Sequence, residues 1–213
     1  VGEECNAVKL LSKFVWSLGV LGGALTVTIS LFSYLSSKDY LEAMYAQRVV
    51  SGSKSVATML DIEEVRTIIG TGGEDSRAYS RVEAMLNTIK KDGDITYLSL
   101  VIPDESSVTF YIDTCVEEAG DDPANKQAYG TRVLYTDAAY DEADLQKYKD
   151  VWALYAENKG TDQPIVTDNS YGYNYTSVSP ILDENGEAIA EIQYILDMQE
   201  VRDHLNSFLY KML

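Results

Sequence analysis

Thirty-four carboxylates, 16 tyrosines, 2 cysteines and a single histidine bound the chemistry open to this chain of 213 residues. One imidazole, at His204, removes most histidine-based catalysis and metal chemistry. Cys5 and Cys115 fit neither a disulfide framework nor a zinc-ligand spacing. Neighbouring carboxylates stand at Glu117-Glu118 and Asp121-Asp122. Two close carboxyls split their pKa values and so can share acid/base work, although a solvated acidic loop produces the same pattern. The 117–122 spacing does not match an EF-hand loop, and no nucleophile elbow, HExxH or Walker pattern occurs. The glycines of Gly70-Thr-Gly-Gly73 follow a helical pattern and not a strand, which argues against a phosphate cradle. Tyrosine, an apolar ring with a hydroxyl, suits the lining of a site for a polar small molecule. No cofactor is expected.

The side chains that remain need a scaffold, and the charge distribution begins to describe it. A net charge of −17 repels phosphate backbones, so nucleic acid is not an expected partner. Residues 1–35 sum to zero, and the whole excess lies in 36–213. From Phe14 to Leu35 there are 22 residues without a charge, about 33 Å as a helix, against a bilayer core of about 30 Å. Trp16 and Tyr34 sit where interfacial aromatics belong. The rival readings are a buried core helix or the apolar part of a signal peptide, which is usually only about 7–15 residues long. The expected organisation is a segment 1–13, a transmembrane helix 14–35 and a domain 36–205; the family resemblance given below implies that 1–13 is cytoplasmic and 36–205 extracytoplasmic. Residues 206–213 would start a truncated second span, with both chain ends cut from a longer protein. Lys9 and Lys13 before the span are balanced by Lys38, Arg48 and Lys54 after it, so the basic residues favour neither orientation.

Periodicity then supplies the elements. Leu41, Met44, Tyr45, Val49, Val56, Met59 and Leu60 predict a helix over 39–60. Asp61 begins a short second helix ending at Gly70, and Asp75 or Ser76 caps a third that ends before Gly93. Strands are predicted at 95–102 and 108–114 around Pro103-Asp-Glu-Ser-Ser107, then a loop over 115–129 and a short strand at 131–136. A helix follows over 141–158 with Leu145, Tyr148, Trp152 and Tyr155 on one stripe, which reads as core. Strands 175–182 and 187–196 flank Asp183-Glu-Asn-Gly186, the clearest hairpin signal, and Asp197 caps a last helix. Helices first and hairpin-linked strands after give an α+β fold with an antiparallel sheet.

Three stretches carry a family resemblance: Tyr97–Ile102 with Val108–Thr114, ending in an Asp-Thr step; Val166–Gly172, which looks like a loop into the later strands; and Val178–Gly186 continuing to Tyr194–Asp197. The last is similar to the "sxxPIxDxxGxxxGxxxxDi" strand pair of the Cache family, with Glu191 or its neighbours where a glycine is usual. The chain resembles a single, PAS-like Cache unit over roughly 36–205, the extracellular sensor of bacterial transmembrane receptors. The resemblance implies a PAS-like sheet flanked by helices, a small ligand over the sheet, and a signal passed through membrane helices to a cytoplasmic output domain. That output would be a methyl-accepting, histidine kinase, cyclic-dinucleotide or phosphatase module.

The same resemblance nominates pocket residues: Tyr111 and Asp113 on one strand, Arg132 and Tyr135 on the middle strand, and Asp168, Tyr171, Tyr173 and Tyr175 before the final hairpin. Amino-acid-binding members use Arg-x-Trp-Tyr, and here Arg132-Val-Leu-Tyr135 has Leu134 in place of Trp. The implied ligand is an amino acid, an organic acid or an amine. Plainer readings stand beside these: Arg132 as a solvated charge, Asp113 as a turn cap, Asp197 as an N-cap, His204 as an interfacial residue, and Cys115 as a buried or interchain thiol. The 39–60 helix serves equally to pack on its own sheet or to pair across a homodimer. The rival functions are a membrane-anchored hydrolase using paired carboxylates, and an adhesion module.

Overall fold

A computed structural model describes residues 2–70, 72–117, 120–135, 142–169 and 172–212. Helix α1 (Gly2–Met59) is unbroken over 58 residues, so the expected span and the expected 39–60 helix are one element. The physical reason is plain in the sequence: the first proline is Pro103, and nothing between residues 35 and 39 forces the backbone out of helix. Two compact units are formed, Val1–Ala43 with Glu200–Leu213, and Met44–Gln199. In the first, the apolar side chains are exposed, Phe14 at 65% and Phe32 at 73%. By length and composition this helix can cross a membrane.

The second unit carries the sheet. Asp61 caps α2 (Ile62–Ile69), its carboxylate accepting from the Glu63 and Glu64 amides. Ser76 caps α3 (Arg77–Asp92), and the Gly93 amide closes it by donating to Ile89. Then come β1 (Tyr97–Pro103), β2 (Ser107–Asp113), a single 3-10 turn at Pro123–Asn125, and β3 (Thr131–Leu134). Helix α4 (Glu142–Ala156), β4 (Ile165–Asn169), β5 (Gly172–Leu182), β6 (Ala188–Asp197) and α5 (Gln199–Met212) follow. Val166–Gly172, read as a loop, contains a strand. Val166 and Asp168 are exposed on the edge strand of the sheet, beside β5, so the polar residues there meet no packing objection. Asp183 closes the β5–β6 turn by accepting from the Asn185 and Glu187 amides, with Gly186 at φ +82°. Asp197, the last residue of β6, accepts from the Gln199 amide at the start of α5, one position before the N-cap position that the sequence assigned to it.

The strand order is β3-β2-β1-β6-β5-β4, all neighbours antiparallel. Without its β3 edge this is the PAS order, and the fold is α+β as the sequence implied. Register separates two faces. Leu98, Leu100, Ile192, Tyr194, Ser177 and Ser179 share one; Ser99, Asp113, Val101, Glu191 and Pro180 share the other.

The end of α1 lies on the first face. Val49, Ser53 and Val56 are buried on one helical stripe and Leu60 is buried just past its end, while Met59, expected on the stripe, is 63% exposed. Ser53 Oγ lies 2.8 Å from Ser177 Oγ and 3.2 Å from Ser179 Oγ. Gly52 is needed for this approach, because a Cβ there would stand 2.8 Å from the buried Tyr194 ring. Replacing Gly52 by Leu is therefore expected to lower stability by about 1–3 kcal/mol even though helix propensity improves by up to ~1 kcal/mol. Chemical unfolding of the full chain measures this, and adding Tyr194→Ala should recover part of the loss.

Candidate functional site

Helix α4 covers the second face, and the contacts that hold it there are mostly polar. At its beginning, Asn169 Nδ2 donates to Asp144 Oδ2 at 2.6 Å and Lys147 Nζ donates to the Val166 carbonyl at 2.7 Å. In its middle the Tyr148 ring stacks on Tyr135, with centroids 5.4 Å apart and planes 14° apart. At its end Tyr155 donates to the Ala188 carbonyl at 3.2 Å. Asn158, at φ +60°, accepts from the Ala188 amide at 2.7 Å. Val151 is the buried apolar residue of this helix, whereas Leu145, Tyr148, Trp152 and Tyr155 of the expected core stripe are only half-buried.

Beneath α4 the sheet presents carboxyls. Glu191 is 1% exposed, its Oε2 has no hydrogen-bond partner, and burial pushes its carboxyl well above the usual range. The Tyr155 phenol is pushed up to about 12, first by burial and then by the Glu191 charge and Tyr111. Asp113, 7% exposed, accepts from Ser99 Oγ at 2.6 Å and from the Gln127 amide at 2.9 Å. Burial raises its carboxyl despite those bonds and despite the Lys90 and Lys126 charges. Tyr111 packs edge-on against Tyr129 at 5.6 Å, and Tyr129 against Tyr79 at 6.1 Å. A cleft of about 620 Å³ opens beside α4, lined by Val151, Leu154, Gly160, Thr161, Pro164 and Ile165 among others.

The nominated residues divide between the faces. Tyr111, Asp113 and Tyr135 lie on the α4 side. Arg132, Asp168, Tyr173 and Tyr175 alternate onto the other, where Tyr173 and Tyr175 meet edge-on at 5.9 Å. Tyr171 lies outside the described residues. Arg132 is exposed and bonds Asp104 Oδ2 at 2.9 Å and Ser107 Oγ at 2.6 Å, clamping the β1–β2 turn. Hydrogen bonds from Ser107 and Ser106, more than the Arg132 pair, hold the Asp104 carboxyl well below the usual range.

The acidic loop is also occupied by its own structure. Asp121 Oδ2 takes Lys90 Nζ at 2.5 Å and the Val116 amide at 2.6 Å, and Asp122 caps the 3-10 turn. Glu118 lies outside the described residues. Cys115 is half-buried, and burial, ahead of the Asp121 charge, raises its thiol. Sequence reading missed Glu191 as a polar centre, since alternation of Glu191 and Gln193 with Ala190, Ile192 and Tyr194 reads as an ordinary solvent face.

No family model matches the chain, and no curated protein matches it in sequence. Among solved structures it is similar to the sensor domain of E. coli DcuS, at 15% identity over 75% of this chain and 96% of that one, with a TM-score of 0.44. It is also similar to the sensory domain of the Campylobacter jejuni chemoreceptor Tlp3, at 13% identity over 82% of this chain and 60% of that one, TM-score 0.44. That domain is also solved with isoleucine and with L-valine bound. A third is the inducer-binding domain of PobR from Acinetobacter, at 12% identity over 61% of this chain and 91% of that one, TM-score 0.37. All three are sensor or inducer-binding domains. The strand order of this chain, apart from its β3 edge, is the PAS-like order.

Burial of Glu191 has a pH signature. A carboxyl raised in the folded state binds its proton while the unfolded chain, near the ordinary value of about 4.3, has lost it. The folded state then holds more protons, so stability is full below that value and falls as pH rises through the folded pKa. Asp113 acts with the same sign. Unfolding midpoints at stepped pH should decline less steeply in Glu191→Gln than in the wild type. Equal slopes would mean that Glu191 ionises freely.

Proposed function

We propose that residues 36–205 form the extracytoplasmic ligand-sensing module of a bacterial transmembrane receptor. The ligand is a small molecule held between α4 and the sheet, with Tyr111, Asp113 and Tyr135 among its contacts. The observation that carries this reading is the α4 face itself, a closed sheet face that buries phenols and carboxyls where a purely structural layer would bury hydrocarbon. The role is binding and not catalysis, in keeping with the engagement of Asp121 and Asp122 in loop structure.

Transmission follows from one element. Helix α1 carries both the apolar run and the Ser53 contact with β5, so a ligand that favours one packing of the sheet biases that helix. Residues 14–35 cross the membrane in this reading, residues 1–13 are cytoplasmic, and 206–213 lead towards a second span and an output domain. Tyr40 and Met44, exposed one turn apart on α1, support pairing with a second copy through residues 39–60.

Thermal-shift screening of the full chain against amino acids, organic acids, amines and nucleobases tests the sensing role. A ligand at about 100 times its Kd stabilises the fold by about 2.7 kcal/mol, and Tyr135→Ala should abolish the shift while Arg132→Ala preserves it. The two cysteines test the topology, since they flank the apolar run. A membrane-impermeant maleimide, applied to intact cells at mildly alkaline pH, should label Cys115 and leave Cys5 unlabelled until lysis. The reverse pattern would sink the assigned orientation.

A further inference from the structure

Along one flank of α4, Lys147, Asp150, Val151 and Leu154 follow one another at helical spacing and line one side of the 620 Å³ cleft. The chain from Gly160 to Val166 lines the other. Tyr148 and Tyr155 leave the helix in a different direction, towards Tyr135 and the Ala188 carbonyl, and none of Tyr111, Asp113 and Tyr135 lines the cleft. The polar side chains of the wall already have partners. Lys147 Nζ donates to Asp144 Oδ1 at 3.1 Å and to the Val166 carbonyl, and Asp150 accepts from Gln146 Nε2 at 2.9 Å. Asp162 pairs with Lys54 at 3.2 Å. Thr161 Oγ1 lies 2.7 Å from Ser177 Oγ and accepts from the Val178 amide at 3.2 Å. Gln163 is exposed to water. What remains for an occupant is the hydrocarbon of Val151, Leu154, Pro164 and Ile165, in a volume within the range of small-molecule sites, about 300–1,000 Å³. The net charge of −17 opposes the approach of an anion.

The same Gly160–Val166 segment is tied to α1. A Cβ at Gly160 would stand 2.7 Å from the Val178 carbonyl oxygen, and the Thr161 amide donates to that oxygen at 3.0 Å, so the segment lies hard against β5. Ser53 of α1 donates to the Val50 carbonyl at 3.0 Å. A hydroxyl has one proton, so Ser177 donates to Ser53 at 2.8 Å and Thr161 donates to Ser177 at 2.7 Å. These bonds run in one direction from the cleft wall to α1, and all three hydroxyl residues are buried. The next residue on each side, Asp162 and Lys54, adds an exposed ion pair. We infer that this cleft is a second ligand site, that it takes a neutral molecule with a compact hydrocarbon body, and that its occupancy reaches α1 through Thr161 and Ser177. The inference does not rest on the sensing role proposed above, because the cleft contains none of the residues nominated for that site.

The test is a titration of the full chain in lipid nanodiscs, with isotopically labelled methyl groups read by NMR. The probes are toluene, cyclohexanol and 4-ethylphenol, with benzoate and benzylammonium as charged counterparts. A neutral probe should shift the Val151, Leu154 and Ile165 methyl signals saturably, and both charged counterparts should bind at least ~10-fold more weakly. Leu154→Gln should weaken the neutral probe roughly 10-fold. The Val49 and Val56 methyls, buried on α1, should respond to the same probe in the wild type and in Thr161→Ser. They should stop responding in Thr161→Val, which keeps the wall's shape and removes the hydroxyl. Cleft methyls that no neutral probe shifts would overturn the site, and a Tyr135-dependent hit in the wider ligand screen would still leave the sensing role standing. Benzoate or benzylammonium binding as tightly as the neutral probes would overturn the ligand class. Methyl shifts that follow protein concentration without any probe would assign the cleft to a second copy of the chain and overturn the ligand. Val49 and Val56 signals that stay fixed in the ligand-saturated wild type, or still respond in folded Thr161→Val, would remove the hydroxyl chain from the coupling.

Discussion

The pairing of β1 with β6 is the contact on which the rest of this domain depends. Each is half of a local hairpin, β1 with β2 and β6 with β5, and both hairpins can close through their own turns. Only the register from Tyr97 opposite Ile195 to Val101 opposite Glu191 makes one sheet of them. That pairing joins strands far apart in the chain, so its loop-closure entropy must be recovered by what the joined sheet then buries. It is recovered on two faces at once, with Leu98, Leu100 and Ile192 fully buried on one and Val101 and Glu191 on the other.

The two faces solve different problems. The α1 face needs close approach, and it obtains it from small residues: Gly52 and Ser53 on the helix, Ser177 and Ser179 on the sheet, with hydroxyls bonded to one another. Thr161 extends the same set of hydroxyls, its Oγ1 lying 2.7 Å from Ser177 Oγ. A contact of this kind is short, polar and specific in register, and it fixes the end of α1 to the sheet. The α4 face is instead held at its rim, by Asn169, Lys147, Tyr155 and Asn158, and stays polar beneath. A layer pinned at its ends over a polar floor is what a binding site requires, whereas a well-filled apolar interface would leave nothing for a ligand to satisfy.

Much of this was legible in the residues. Helix caps at Asp61 and Ser76 and the Asp183–Gly186 turn work by local chemistry and appear where expected. The strand at 165–169 was not legible, because Thr167-Asp-Asn169 has turn-forming composition and becomes a strand only against β5. The structure divides the nominated residues between the two faces of the sheet. Tyr111, Asp113 and Tyr135 share the α4 face, but strand alternation sends Tyr173, Tyr175 and Asp168 to the other side. A one-residue change of register reverses a strand's faces, and no local pattern in Gly172–Leu182, polar and apolar on both sides, specifies that register.

By itself, then, the sequence determined the α+β class, the order of elements, the apolar run able to cross a membrane and the acidic character of the domain. Each of these is set by composition or by interactions within a few residues. Only the tertiary structure decided that Glu191, polar in an alternating strand, is buried, with its Oε2 unpartnered. Tertiary packing likewise buries Ser177 and Ser179 against α1. Alternation states which residues share a face of a strand. It does not state what will cover that face, because this depends on helices placed there by pairings between distant parts of the chain.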